Sequence, residues 1–90
     1  MSWNYRLCHR PSIPGGGYNI HEVYYDDQGY IELYTDRPVS PHGDIPDETY
    51  EDICNMIKAF DEEPLNLDYI DRILRNQKPE KNKKNKGTTK

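Results

Sequence analysis

Large apolar and polar residues alternate through Trp3-Asn4-Tyr5-Arg6-Leu7-Cys8-His9, the two-residue period of a strand with one buried face. Pro11 to Gly17 holds two prolines and three glycines, cannot continue a ladder, and ends that strand in a flexible connection. Tyr18 to Tyr25 is dense in aromatic and β-branched residues and predicts a second strand. Asp26-Asp27-Gln28-Gly29 carries a turn signal, with glycine where a positive φ is needed. Tyr30-Ile31-Glu32-Leu33-Tyr34 then returns as the third strand of a hairpin.

The register of that hairpin decides which side chains share a face, because a slip of one residue exchanges the two faces. A four-residue loop pairs Tyr25 with Tyr30. A type I turn closed by a bulge at Gly29 pairs Asp26 with Tyr30 and Tyr25 with Ile31. The bulge separates apolar from charged residues better. It collects Val23, Tyr25, Ile31 and Leu33 on one face, and Glu22, Tyr24, Tyr30, Glu32 and Tyr34 on the other.

A helix is expected from Pro46, whose missing N–H suits a first turn, with Asp44 as its cap and Asp47 and Glu48 near the positive end of its dipole. Tyr50, Ile53, Ile57 and Phe60 recur at spacings of three and four, so this stripe is expected to pack on the sheet, with Glu51, Asp52, Asn55 and Lys58 outward and Cys54 at the margin. Asp61-Glu62-Glu63-Pro64 ends it. Leu65, Leu67, Ile70, Ile73 and Leu74 suggest a shorter second helix, covering a sheet edge or the remaining apolar surface; the other use for it is as a partner-binding helix. The expected fold is α+β: a three-stranded antiparallel sheet in the order β-β-β-α, one main amphipathic helix and a short second one. Helix 46–60 covers the Val23 face, and the Tyr/Glu face is left in water.

At 90 residues and a mean hydropathy of −1.11, the chain is sized for one domain with a thin core, here residues 1–75. Eight tyrosines enlarge the buriable area, since each ring joins a large apolar surface to a polar tip. Charge is unevenly divided. Met1 to Arg75 carries 6 basic and 15 acidic residues, a net −9, whereas residues 76–90 carry 6 lysines and Glu80, a net +5. That second segment has no large apolar residue to offset the entropy of ordering, and is expected to be a disordered basic tail. No run of about 18 apolar residues and no charged-then-apolar leader appears, so a cytoplasmic protein without a membrane partner is expected.

Candidate chemistry is sparse. Cys8 and Cys54 lack a C-x-x-C or a partnering histidine spacing, which suggests reduced thiols rather than a disulfide framework or zinc ribbon. Cys8 beside His9 resembles a nucleophile and base, but strand neighbours point to opposite faces; His21 with Glu22 fails for the same reason. His9, His21 and His42 lie on different segments, without a short metal-ligand spacing. Gly15-Gly16-Gly17 lacks the Lys-Ser/Thr and helix start of a phosphate loop. The acidic pairs at Asp26-Asp27 and Asp61-Glu62-Glu63 sit where turn solvation and capping account for them. No catalytic residue, metal or cofactor is expected.

The stretch Gly29 to Pro38, followed by Gly43-Asp44-Ile45-Pro46-Asp47-Glu48-Thr49-Tyr50-Glu51-Asp52-Ile53, resembles the HicB antitoxin-type domain in its order of strand, proline-containing crossing and acidic helix start. It departs at Pro38-Val39-Ser40, where that family has Pro-Gly-Cys, and at Tyr50, where it has a small residue. Met1-Ser2-Trp3-Asn4-Tyr5-Arg6, Ile20-His21-Glu22-Val23-Tyr24-Tyr25-Asp26 and Thr35-Asp36-Arg37-Pro38-Val39 are similar to a group of short bacterial proteins. These resemblances imply a sheet-and-helix shape, like that of double-stranded-RNA-binding domains, used for binding.

The function expected is therefore non-enzymatic: a protein-interaction module, antitoxin-like or an inhibitor, binding through Glu22, Tyr24, Tyr30, Glu32 and Tyr34. Tyrosines with few torsions suit such a surface. The acidic body would steer it toward a basic protein such as a nucleic-acid enzyme. Homodimerisation is the simpler way to close the open face. The alternative class is a nucleic-acid-binding accessory protein, with Lys78, Lys81, Lys83, Lys84 and Lys86 on phosphates and tyrosines stacking on bases.

Overall fold

The computed structural model describes residues 2–86, with side chains described through residue 76. Its order is β1 (Ser2–His9), β2 (Tyr18–Tyr25), β3 (Ile31–Tyr34), α1 (Pro46–Ile57) running into a 3₁₀ turn (Lys58–Asp61), β4 (Leu65–Asn66) and α2 (Leu67–Lys86). The chain is α+β, but the sheet differs from the three-stranded antiparallel one expected. It has four strands in the order β3-β2-β1-β4, and β4 pairs parallel to β1 through Cys8↔Leu65 and His9↔Asn66. Leu65 had been assigned to the second helix. Asn66 caps α2 by accepting the Tyr69 N–H at 3.1 Å, which requires non-helical backbone at Asn66, so Leu65 and Asn66 stay extended between Pro64 and the first turn of the helix. Two residues are too few to show a period. The second helix is not short as expected: α2 has 20 residues and runs to Lys86, and the side chains of Lys78, Lys81, Lys83, Lys84 and Lys86, in the tail expected to be disordered, lie outside those described.

The hairpin turn follows the bulged geometry. The Asp26 carbonyl accepts the Gly29 N–H at 3.0 Å, the Asp26 carboxylate accepts those of Gln28 and Tyr30 at 2.9 and 3.0 Å, and Gly29 sits at φ +89°. Tyr25 accordingly pairs with Ile31. A second irregularity follows at once: Tyr24 pairs with Leu33 and Val23 with Tyr34, leaving Glu32 as an extra residue on β3. Beyond a bulge the faces exchange. Tyr34, expected beside Glu22 and Tyr24, therefore joins Val23, Tyr25 and Ile31, and Leu33 takes its place on the other face.

The Val23 face is covered by α2. Cys8, Val23 and Leu67 form the buried cluster, with Tyr25, Ile31, Tyr34 and Leu65 packed against it. A polar clamp fixes the helix there. The Arg10 guanidinium donates to Asp68 at 2.9 Å, to Asp71 at 2.8 Å and to the Tyr34 hydroxyl at 2.7 Å; that hydroxyl donates to Asp71. Ser12 adds its backbone N–H and its hydroxyl to Asp68, both at 2.9 Å. On the strand side, Arg6 reaches the Glu63 carbonyl at 3.0 Å and the Tyr25 hydroxyl at 3.2 Å, tying the approach to β4 onto the sheet.

With that face filled, α1 lies on the opposite one, over residues expected to stand in water. Its start is held by backbone: Ile45 is the N-cap without a side-chain bond. Asp44, the expected cap, instead donates its N–H to Glu48 at 2.9 Å. Gly43 runs so close to Glu48 and Thr49 that a Cβ would overlap them. The helix is also rotated from the expected orientation. Met56 and Ala59 are buried, at 5% and 1% exposure, and Asp52 faces Tyr5, whose hydroxyl it accepts. Tyr50, Ile53, Ile57 and Phe60 are 69, 40, 60 and 64% exposed. Positions 52, 56 and 59 share the three-and-four spacing of the apolar stripe but lie about 100° around the helix from it; the Tyr5 hydroxyl and the small Ala59 select this seam.

Serine at Met56 is accordingly expected to cost about 2 kcal/mol or more in urea-unfolding free energy, as for other large-to-small changes in a core. Ile57→Ser should cost less than about 0.5 kcal/mol, as surface substitutions do. Equal losses would contradict the rotated orientation of α1.

Candidate interaction surface

The face under α1 is built by alternation. β1 contributes Trp3, Tyr5, Leu7 and His9, and β2 contributes their cross-strand partners Tyr24, Glu22, Ile20 and Tyr18. Cross-strand neighbours on one face are the contact unit of a sheet, and the rings here meet accordingly. The Trp3 ring stands edge-on to Tyr5 with centroids 5.2 Å apart and tilted to Tyr24 at 6.2 Å. His9 stacks on Tyr18 at 4.8 Å. The Tyr24 hydroxyl donates to Glu22 two residues away. Trp3 and Leu33 remain about half exposed, at 51 and 46%.

Only part of the expected surface assembles. Glu22 and Tyr24 stand together on this face. Tyr30 is at the hairpin turn, 67% exposed, beside a depression that reaches Ile70 and Ile73 on the α2 side. Glu32 is exposed in the bulge. Tyr34 is withdrawn to the α2 face, between Arg10 and Asp71. Trp3, Tyr5 and Leu33 stand on this face with Glu22 and Tyr24. Trp3 and Tyr5 were legible from the alternation of β1 once its pairing with β2 is known; Leu33 was not, because a bulge leaves no mark in a four-residue strand.

Two depressions flank α1. One, of about 570 Å³, has four carboxylates in its wall, Glu22, Glu48, Glu51 and Asp52, together with Tyr5, His42, Asn55 and residues 38–40. The other, of about 420 Å³, is mostly apolar. Leu7 and Ile20 line it from the sheet, Ile53, Met56 and Ile57 from α1 and Phe60 from the 3₁₀ turn, with Tyr18, Asn19, Pro38, Val39 and Pro41 around them. Ile45 and Tyr50 are also exposed, at 54 and 69%.

The ionisable groups are tuned for structure. The Tyr5 hydroxyl is raised well above the usual tyrosine range by burial and by the adjacent Asp52 carboxylate. Tyr24 is raised by its bond to Glu22, and Tyr34 by burial and its bond to Asp71. Asp52 is lowered by the Tyr5 hydroxyl and the His42 backbone N–H. For Asp68 and Asp71 desolvation pushes upward, but hydrogen bonds from Ser12, Tyr34 and Arg10 outweigh it and hold both below the ordinary carboxylate range. Burial pushes the Cys8 thiol up to about 11, so at neutral pH it is a thiol and not a nucleophilic thiolate. His21 is buried, donating Nδ1–H to the Thr35 carbonyl at 2.9 Å. Among the described residues no group of three or more His, Cys, Asp or Glu is placed to hold a metal ion, and no helix is long and apolar enough to cross a membrane.

Comparison with protein-family models, with curated proteins and with solved structures finds no match.

A tyrosine whose folded pKa is raised contributes stability that is intact below the unfolded value, near 10, and fades as pH climbs through the folded one. Thermal unfolding followed from pH 8 to 11.5 should show a falling midpoint above about pH 10. Tyr5→Phe should flatten part of that fall; an unchanged slope would show that the Tyr5–Asp52 contact does not hold its proton in solution.

Proposed function

We propose that this chain is a non-enzymatic protein-interaction module, in the class of small antitoxin-like or inhibitory proteins. Its contact surface runs from the Trp3–Glu22–Tyr24 patch on the sheet to the exposed stripe of α1. The observation that carries this reading is the outward orientation of Ile53, Ile57 and Phe60. A helix that buries Met56 and Ala59 while exposing larger apolar side chains forgoes burial that would stabilise it, which fits a surface completed by another molecule. The patch beside it has a composition suited to recognition, since aromatic residues with few torsions are enriched where interfaces bury their centres. The protonated Cys8 thiol supports a role without thiolate chemistry. The resemblance to HicB-type antitoxin domains supports a partner-binding role of the same kind.

The test is a nuclease-treated pull-down from the lysate of the organism that encodes the chain, read by mass spectrometry. The intact protein is compared with an Ile53→Asp/Ile57→Asp variant whose folding is verified by circular dichroism. The expected result is one stoichiometric protein recovered with the intact chain and lost with the variant. Equal recovery with the variant would overturn it; so would a parallel pull-down without nuclease that recovers only nucleic acid, lost from a chain stopped at Asn76, which would favour nucleic-acid binding.

A further inference from the structure

Resting on that reading, we propose that the groove between α1 and the β1–β2 face receives a basic amphipathic helix of the partner protein. The groove's shape excludes an added strand. Next to the groove β2 is paired by β1 on one side; on the other, where β3 reaches only Val23–Tyr25, the crossing segment lies against it, the Thr35 and Val39 N–H groups donating to the Glu22 and Ile20 carbonyls at 3.0 and 2.9 Å. The lining itself is mostly side chains: Leu7 and Ile20 from the sheet, Met56 and Ile57 from α1, and Phe60 from the 3₁₀ turn. A segment seated there has to satisfy its own backbone N–H and C=O groups, and a helix does so while presenting an apolar stripe at three-and-four spacing to a groove.

Charge selects the sign of the partner's flanks. Residues 44–63 hold eight carboxylates and one lysine. Asp47 and Glu51 are both exposed, and Glu51 lines the acidic depression on the other flank of α1. The acid-walled depression at Glu22, Glu48, Glu51 and Asp52 shares Pro38 and Val39 with the apolar groove. A ligand filling the apolar part therefore carries its flanks into a field of carboxylates, where Lys or Arg is attracted and Asp or Glu repelled.

The same charge argues against a second copy as occupant. Two copies meeting through this groove would bring two such sets of carboxylates together, and like charges across an interface cost several kcal/mol. Residues 77–90 supply lysines but no large apolar residue, and so cannot fill the groove either.

The experiment titrates the full chain with a fluorescently labelled 14-residue peptide of leucine and lysine at helical spacing. Three control peptides accompany it: a scramble of the same composition, oligolysine, and a version with glutamate in place of lysine. Binding is read by anisotropy at two salt concentrations. The amphipathic basic peptide is expected to bind at least about 10-fold more tightly than the scramble or oligolysine, and the glutamate version not at all. Ile57→Asp should weaken binding about 10-fold or more, and Glu51→Lys several-fold, with both variants retaining the wild-type circular dichroism spectrum. Equal binding of oligolysine, or no loss in Ile57→Asp, would overturn the proposal. So would sedimentation equilibrium showing a dimer that Ile57→Asp dissolves, which would make a second copy the occupant. If the peptide fails while the lysate partner is still lost in the Ile53→Asp/Ile57→Asp variant, the groove binds a partner of other chemistry. If both fail, the interaction reading falls as well.

Discussion

The guanidinium of Arg10 decides where both helices go. It gathers Asp68 and Asp71 from α2 and the Tyr34 hydroxyl from β3, joining the end of β1, the edge strand and the second helix in one half-buried cluster. Each bond is modest on its own, but charge-assisted bonds to carboxylates exceed neutral ones, and leaving two carboxylates without their cation would be costly. Because α2 is held over Cys8 and Val23, the opposite face is what remains for α1. That face already carries Glu22, Tyr24 and Tyr5, which it cannot bury as an apolar core would be buried. Contact is made instead through the Tyr5–Asp52 bond, Met56 and Ala59, and the larger apolar side chains of α1 stay outside.

The bulge at Glu32 is the local device that makes this possible. Without it, Leu33 would point to α2 and Tyr34 to α1, and no hydroxyl would stand between Arg10 and Asp71. One extra residue in a four-residue strand thus converts an apolar contact into a polar clamp. It also leaves Leu33 exposed beside Tyr24, so a backbone irregularity on one face shapes the aromatic patch on the other.

These dependences explain what was legible in the sequence. Strands 2–9 and 18–25, the bulged turn at Gly29 and the helix beginning at Pro46 follow from alternation, turn chemistry and proline placement, all of them local signals. The orientation of α1 was not legible, because Asp52, Met56 and Ala59 recur at the same spacing as Tyr50, Ile53, Ile57 and Phe60; periodicity cannot tell which face is buried when a tyrosine hydroxyl waits for the aspartate. The second bulge and β4 are settled by tertiary contacts, with Arg10 and with the edge of β1. Of the five residues expected to form the binding surface, Glu22 and Tyr24 stand together because both lie on β2, before the irregularity. Tyr30, Glu32 and Tyr34 follow the turn or the bulge and are dispersed.

The central claim is that Tyr34 belongs to the α2 face. Nuclear Overhauser contacts of its ring test this most directly. Cross-peaks to the methyl groups of Val23 and Leu67 are the predicted result. Cross-peaks to Tyr24 or Trp3 in their place would contradict the account, since they would put Tyr34 back beside the carboxylate of Glu22 and leave the Arg10 clamp unmade.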